Sequence, residues 1–210
     1  MLKKRNLSEL AYEEIVDRII RGIFKAGETL QEEKLSAEFE ISRTPVREAL
    51  KKLSSEGFIE QLSRGFRVAI LNRDALKELF ECRCALEIQA LRNSINLIPE
   101  TEIDQLLERL ELCTSAKNPK KLALKADHDM HDLIRDYCGN RYLSLLIGQF
   151  LLKTAPYRSY RNVSGPSIQK LIEERSAILH AIRKRNFQKA SLLLRKHIMN
   201  GISACGDLKK

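Results

Sequence analysis

The stretch "ISRTPVREAL", residues 41–50, decides how the front of this chain is read. Ser42 or Thr44 can cap a helix here, and Pro45 is tolerated because N–H groups of a first turn have no intrahelical partner. Val46, Ala49, Leu50 and Leu53 follow at helical spacing and define a buried face, and Gly57 supplies a stop. Across from that face Arg43, Arg47 and Lys51 fall at i, i+4 and i+8, forming one basic stripe.

Working outward, Ser8 is placed to cap a first helix running to about Ile23, with Ile15, Ile19 and Ile20 on its buried side. Gly22 and Lys25-Ala26-Gly27 break it, and a second short helix spans roughly Gln31–Phe39. After Gly57, the runs 58–61 and 66–70 read as two short strands around the tip Ser63-Arg64-Gly65. Three helices and a hairpin make a winged helix-turn-helix domain over residues 1–71. Lys3, Lys4, Arg5, Arg64 and Arg67 add positive charge, and the acidic residues of the first two helices are expected to face away from the stripe. Arginine suits a nucleic-acid surface because its planar fork grips a guanine edge or a phosphate with two hydrogen bonds.

Residues 72–210 form a second domain of different character. Helical periodicity recurs over about Asp74–Asn96, Pro99–Ser115, Lys120–Tyr137, Arg141–Tyr157, Ile168–Lys184 and Phe187–Ala204, with short breaks except over 158–167. The expected fold is therefore mainly α: a winged head followed by an antiparallel bundle of about six helices. The apolar run Tyr142–Leu152 is too short to span a bilayer and reads as a buried helix, also suited to a subunit contact.

The formal net charge is +9, which favours an anionic partner. Its distribution is uneven: residues 1–70 carry 13 basic against 12 acidic side chains, so in the head the placement of charge matters more than its sum. Five cysteines form no CxxC pair, and Cys82 and Cys84 point to different faces of a helix. No apolar run follows the basic N-terminus, so a cytoplasmic setting with free thiols is expected, in which Asn162-Val163-Ser164 carries no glycan.

In the second domain, titratable residues interrupt apolar stripes. Arg83 and Glu87 share a face with Leu76, Leu79, Phe80, Leu86 and Ala90; Asp127 and His131 stand one turn apart beside Leu124 and Ile134. Arg175 lies among Ile168, Leu171, Ile172, Ile178, Leu179 and Ile182, and His197 follows Ala190, Leu193 and Leu194. Four helices thus each send polar groups inward, which is how bundles build ligand and metal pockets. His128 and His180 fall off these stripes and are expected at the surface. Each inward group, taken alone, is also compatible with a buried ion pair.

The run "AGETLQEEKLSAEFEISRTPVREALKKLSSEGFIEQLSRGFRV" resembles the winged-helix domain of the GntR family of bacterial transcription regulators. That resemblance implies that Arg43 and Arg47 read guanines in the major groove, that Thr44 touches phosphate, and that Ser63, Arg64 and Gly65 enter the minor groove. Glu33 departs from it, since some members carry an arginine there that makes a further contact. "ECRCALEIQAL", "DHDMHDLIRDYCGNRYL" and "EERSAILHAIRKRNFQKASLLLRKHI" are similar to the FCD ligand-binding domain of the FadR subgroup, in its shorter VanR-like version. There a divalent metal (Zn, Ni or Mn) is usually held by one Asp and three His. Asp127, His131 and His197 match three of those positions, whereas the fourth is Arg175; His180 is out of register.

Two mechanisms remain open at this level. Either the three residues hold a metal ion with room for an effector carboxylate, or Arg175 replaces the metal's charge and grips an anionic effector, with Arg83 and Glu87 beside it. Either way the expected protein is a ligand-responsive DNA-binding transcription regulator, a repressor of a metabolic operon. It binds a palindromic operator as a homodimer and answers to a small carboxylate. The rival reading is a metal-dependent hydrolase with an accessory DNA-binding head, for which no base or nucleophile motif stands out.

Overall fold

The computed structural model describes residues 6–158 and 165–203. The basic Lys3–Arg5 cluster, the Asn162–Ser164 triplet, Cys205 and most of the break over 158–167 lie outside the described residues, as does the side chain of Ile20.

The head is built from α1 (Leu7–Ile20), β1 (Thr29–Leu30), α2 (Glu32–Glu38), α3 (Arg43–Ser55), β2 (Ile59–Gln61) and β3 (Phe66–Val68). Asn6 rather than Ser8 caps α1: its side chain accepts a hydrogen bond from the Ser8 N–H, and both residue types serve equally well in that role. The helix ends at Ile20, earlier than the periodicity suggested, because Gly22 turns the chain at φ 69°. Ser42 is the N-cap of α3, Pro45 lies in its first turn, and Gly57 ends it at φ 75°.

The sheet is antiparallel in the order β1-β3-β2. Thr29 pairs with Arg67 and Leu30 with Phe66, while Ile59, Glu60 and Gln61 pair with Val68, Arg67 and Phe66. Strand β1 was not expected; two residues are too few to show a period. A single core joins Ala11, Ile15 and Ile19 of α1 to Val46, Ala49, Leu50 and Leu53 of α3 and to Phe58, Ile59, Phe66 and Val68 of the hairpin. That packing fixes which side of α3 is left outside.

The helical part comprises α4 (Arg73–Ser94), α5 (Glu100–Leu112), α6 (Pro119–Asp136), α7 (Arg141–Arg158), α8 (Gly165–Arg183) and α9 (Phe187–Ser203), the six helices read from the periodicity. Asn118 caps α6 through its side chain, with Pro119 in the first turn. Arg185, at φ 52° between α8 and α9, donates to the carbonyls of Ile95 and Ile98 beyond the end of α4. By packing, the described residues divide into two compact units: one runs up to Ala75 and takes in the end of α7 from Leu151, whose Leu152 joins the head's core, and the other is the rest of the bundle.

Helix α7 is buried on one side only. Leu143, Ile147 and Leu151 are inside, whereas Tyr142, Leu145 and Leu146 are exposed. An eleven-residue apolar run turns through three full rotations, so part of it must face out unless something else covers it. Among the described residues no helix is long and apolar enough to cross a membrane.

Candidate functional site

On α3, Arg43, Thr44, Arg47 and Lys51 are exposed, while Val46, Ala49, Leu50 and Leu53 behind them are at most 1% exposed. The basic stripe is therefore held on a rigid, well-seated helix. At the wing, Ser63 and Arg64 are exposed and Gly65 is half-buried. Gly65 adopts φ 82°, and a Cβ there would lie 3.0 Å from the carbonyl oxygen of Leu30, so the tip demands glycine.

The arginines have partners that were not anticipated. Arg47 places Nε and Nη2 at 2.8 and 2.7 Å from Glu32 Oε2, and Arg43 Nη1 lies 2.9 Å from Glu33 Oε1. The acidic start of α2 thus faces the stripe instead of turning away from it. Two adjacent glutamates in the first turn of α2 were the available signal, since the helix-turn-helix angle brings that turn to α3. Other basic groups of the head are engaged elsewhere. Arg67 pairs with Glu60 across the hairpin at 2.6 Å, and Lys52 Nζ sits 4.2 Å from the centre of the Tyr12 ring. Burial, together with the bond it donates to Glu56 at 2.7 Å, pushes the Tyr12 hydroxyl pKa up.

In the bundle unit the structure gathers the whole inward polar set. Arg83, Glu87, Asp127, His131, Arg175 and His197 are all buried, none more than 6% exposed. They come from α4, α6, α8 and α9. Within α4, Arg83 Nε donates to Glu87 Oε1 at 2.5 Å. Its Nη2 lies 2.9 Å from His131 Nε2, and His131 Nδ1 lies 2.5 Å from Glu87 Oε2. Chemistry settles the tautomer: a guanidinium only donates and a carboxylate only accepts, so the proton of His131 is on Nδ1. Asp127 Oδ1 accepts from Arg175 Nε at 2.9 Å and Nη2 at 2.8 Å, and lies 3.0 Å from His197 Nε2. Arg175 Nη1 also donates to the carbonyl of Leu171 at 2.8 Å, which fixes the guanidinium from a third direction.

Electrostatics follow from this wiring. Burial pushes the Glu87 carboxyl up, yet Arg83 and His131 outweigh it and bring its pKa down to about 2. Asp127 is likewise opposed by burial and still held well below the carboxylate range, chiefly by Arg175 and then His197. His131 is driven down to about 4 by burial, which the Glu87 carboxylate only partly offsets. The imidazole is neutral near pH 7, in agreement with its hydrogen bonds.

Asp127, His131 and His197 present potential ligand atoms within 4.8 Å of one another, as a metal would require. Spacing alone therefore admits an ion. Glu174 was missed: its Oε2 lies 3.9 Å from His197 Nδ1, and its Oε1 accepts from Asn200 Nδ2 at 3.5 Å. The signal was its place directly before Arg175. His180 is exposed as expected, but His128 is half-buried and pairs with Asp132 at 3.2 Å. Cys82 is exposed and Cys84 buried, on different faces.

Residues 7–68 match the family described as bacterial regulatory proteins, gntR family, and residues 78–200 match the FCD domain. The chain is 27% identical over 208 residues to the uncharacterized HTH-type transcriptional regulator BphR of Paraburkholderia xenovorans, covering 95% of this chain and 85% of that one. It is 26% identical to the HTH-type transcriptional repressor GlaR of Escherichia coli, over 91% of this chain and 92% of the other. The solved structure of E. coli McbR/YncC has the same fold, with a TM-score of 0.86 at 20% identity over 95% of this chain and 97% of that one. The exposed arginine stripe on α3, the wing and the helical domain that follows in sequence agree with these matches, and the chain belongs to the GntR family of DNA-binding transcription regulators, with an FCD domain, and is not an enzyme.

Proposed function

We propose that this regulator is a ligand-responsive repressor of a metabolic operon, acting in the cytoplasm as a homodimer on a palindromic operator. The observation that carries the DNA-reading part is the stripe Arg43, Thr44, Arg47 and Lys51, exposed on a helix whose opposite face is the core of the head. In this reading α3 enters the major groove, with Arg43 and Arg47 on guanine edges and Thr44 on phosphate. Lys51 adds a backbone charge, and Ser63, Arg64 and Gly65 carry the wing tip into the minor groove.

One head reads only a few base pairs, and a two-fold dimer doubles the site. The surface proposed to meet the second copy is the outer face of α7. Tyr142, Leu145 and Leu146 are exposed there, and Gly148 has open space around it that lets another helix approach.

The effector is proposed to be a small carboxylate that engages Arg175, with Arg83 and Glu87 beside it. For such a ligand to act on transcription, it must bind one arrangement of the dimer better than another. Repression is the mode of GlaR and is carried over as part of the proposal.

The test is a thermal-shift panel of small mono- and dicarboxylates, followed by operator titration with each acid that raises the melting temperature. At least one is expected to shift operator affinity in the wild type and to lose its effect in Arg175→Gln. If stabilising acids leave operator affinity unchanged, the effector reading fails. Sedimentation at micromolar concentration tests the dimer: Leu145→Glu is expected to give monomers, and a wild-type monomer that binds operator tightly contradicts the two-headed model.

A further inference from the structure

We propose that the buried cluster works without a metal ion, and that Arg175 and Arg83 supply the positive charge an ion would bring. The three ligating side chains have suitable spacing, but the atoms they turn toward one another are already engaged in hydrogen bonds and ion pairs. The lone pair of His131 Nε2 accepts from Arg83 at 2.9 Å, and Nδ1 carries the proton given to Glu87. His197 Nε2 lies 3.0 Å from Asp127 Oδ1, so that nitrogen holds its proton toward the carboxylate, and the free pair of the ring is on Nδ1, 3.9 Å from Glu174 Oε2. Asp127 Oδ1 receives two bonds from one guanidinium as well. An ion would therefore have to take over the engaged atoms of Asp127 and His131, while His197 offers a free pair only at Nδ1, on the side of Glu174.

Charge leads to the same conclusion. Two guanidinia already pair with two carboxylates, Arg83 with Glu87 and Arg175 with Asp127. A divalent ion would leave two uncompensated charges in a site whose members are all buried, where like charges repel strongly. To enter, it would have to displace Arg175 from Asp127 and Arg83 from His131. Arg175 has no inexpensive place to go, because Leu171 also holds it through a backbone carbonyl at 2.8 Å. The anchor for an anion in this domain is accordingly an arginine fork, whose planar bidentate geometry suits a carboxylate that exchanges with Asp127.

This inference is read without effector or operator, so it stands or falls separately from the proposed function. Full-length wild type, Arg175→His and Asp127→Asn are equilibrated with Zn2+, Ni2+ or Mn2+, desalted and assayed for bound metal, and each is melted with and without EDTA. The wild type is expected to hold no more metal than Asp127→Asn, with a melting temperature indifferent to EDTA. Arg175→His removes one charge and adds an imidazole, and it is expected to gain about one ion per chain and to lose melting temperature on chelation. Stoichiometric metal in the wild type that Asp127→Asn loses overturns the proposal, and that comparison decides it even if Arg175→His does not fold. A folded Arg175→His as metal-poor as the wild type overturns the role given to Arg175.

Discussion

Arg175 sets both Nε and Nη2 on a single carboxylate oxygen of Asp127, at 2.9 and 2.8 Å, with both side chains buried. The contact ties α8 to α6. Removing one partner leaves the other charge without compensation, and Arg175→Ala is expected to cost about 3–5 kcal/mol in chemical denaturation. Replacing both together, as Arg175→Met with Asp127→Leu, is expected to recover most of that loss. A double variant as unstable as the single one would show that the pair's worth lies elsewhere in the network.

Acid should unfold the bundle unit early. In the native state His131 stays neutral down to about pH 4, against an ordinary value of 6.5, so between these values the unfolded chain binds more protons and is favoured as pH falls. Glu87 acts in the same direction lower down: its native pKa of about 2 lies below the unfolded 4.5, and its stabilisation is lost as pH falls through that interval. Urea midpoints should therefore drop continuously below pH 6.5. The His131 share reaches about 3 kcal/mol by pH 4 on a simple linkage estimate. His131→Gln removes that group's titration, and a slope between pH 6.5 and 4 as steep as in the wild type would contradict the assignment.

Glu33 holds Arg43 at 2.9 Å on the surface proposed to meet DNA. Both side chains are exposed, so the pair is weak, but its carboxylate also opposes phosphate. Glu33→Gln is expected to tighten operator binding a few-fold at low salt, with the gain shrinking as salt rises. Weaker binding would instead identify Glu33 as a positioning residue for Arg43.

Glu40, in the turn between α2 and α3, adopts φ 55°, a left-handed conformation that a side chain disfavours by roughly 1–2 kcal/mol. Glu40→Gly should raise the head's stability by up to about 1 kcal/mol, once glycine's greater freedom in the unfolded chain is subtracted. A lower denaturation midpoint would mean that the Glu40 side chain contributes more than its backbone costs.

Helical period carried most of the architecture in advance. The six bundle helices and the buried face of α3 were legible because each repeats its apolar residues over several turns. So was the inward set, since Arg83, Glu87, Asp127, His131, Arg175 and His197 all break apolar stripes. Their wiring was not legible. Arg175 and Asp127 lie 48 positions apart, and which guanidinium meets which carboxylate depends on how the helices pack. Strand β1 escaped because two residues show no period, and the Glu32–Arg47 contact because it depends on the angle between two helices. Helix α7, read as buried and suited to a subunit contact, is covered in the single chain only along Leu143, Ile147 and Leu151, because its apolar run goes all the way round the helix.

If the α3 stripe reads DNA sequence, the loss of one of its arginines must depend on the sequence bound. The most direct measurement is fluorescence anisotropy of the wild type and Arg47→Ala on a palindromic duplex obtained by in vitro selection, against a scrambled duplex of the same composition. Arg47→Ala is expected to lose ~1–3 kcal/mol on the selected duplex while changing little on the scrambled one. Equal losses on both duplexes, or none on either, would contradict the claim.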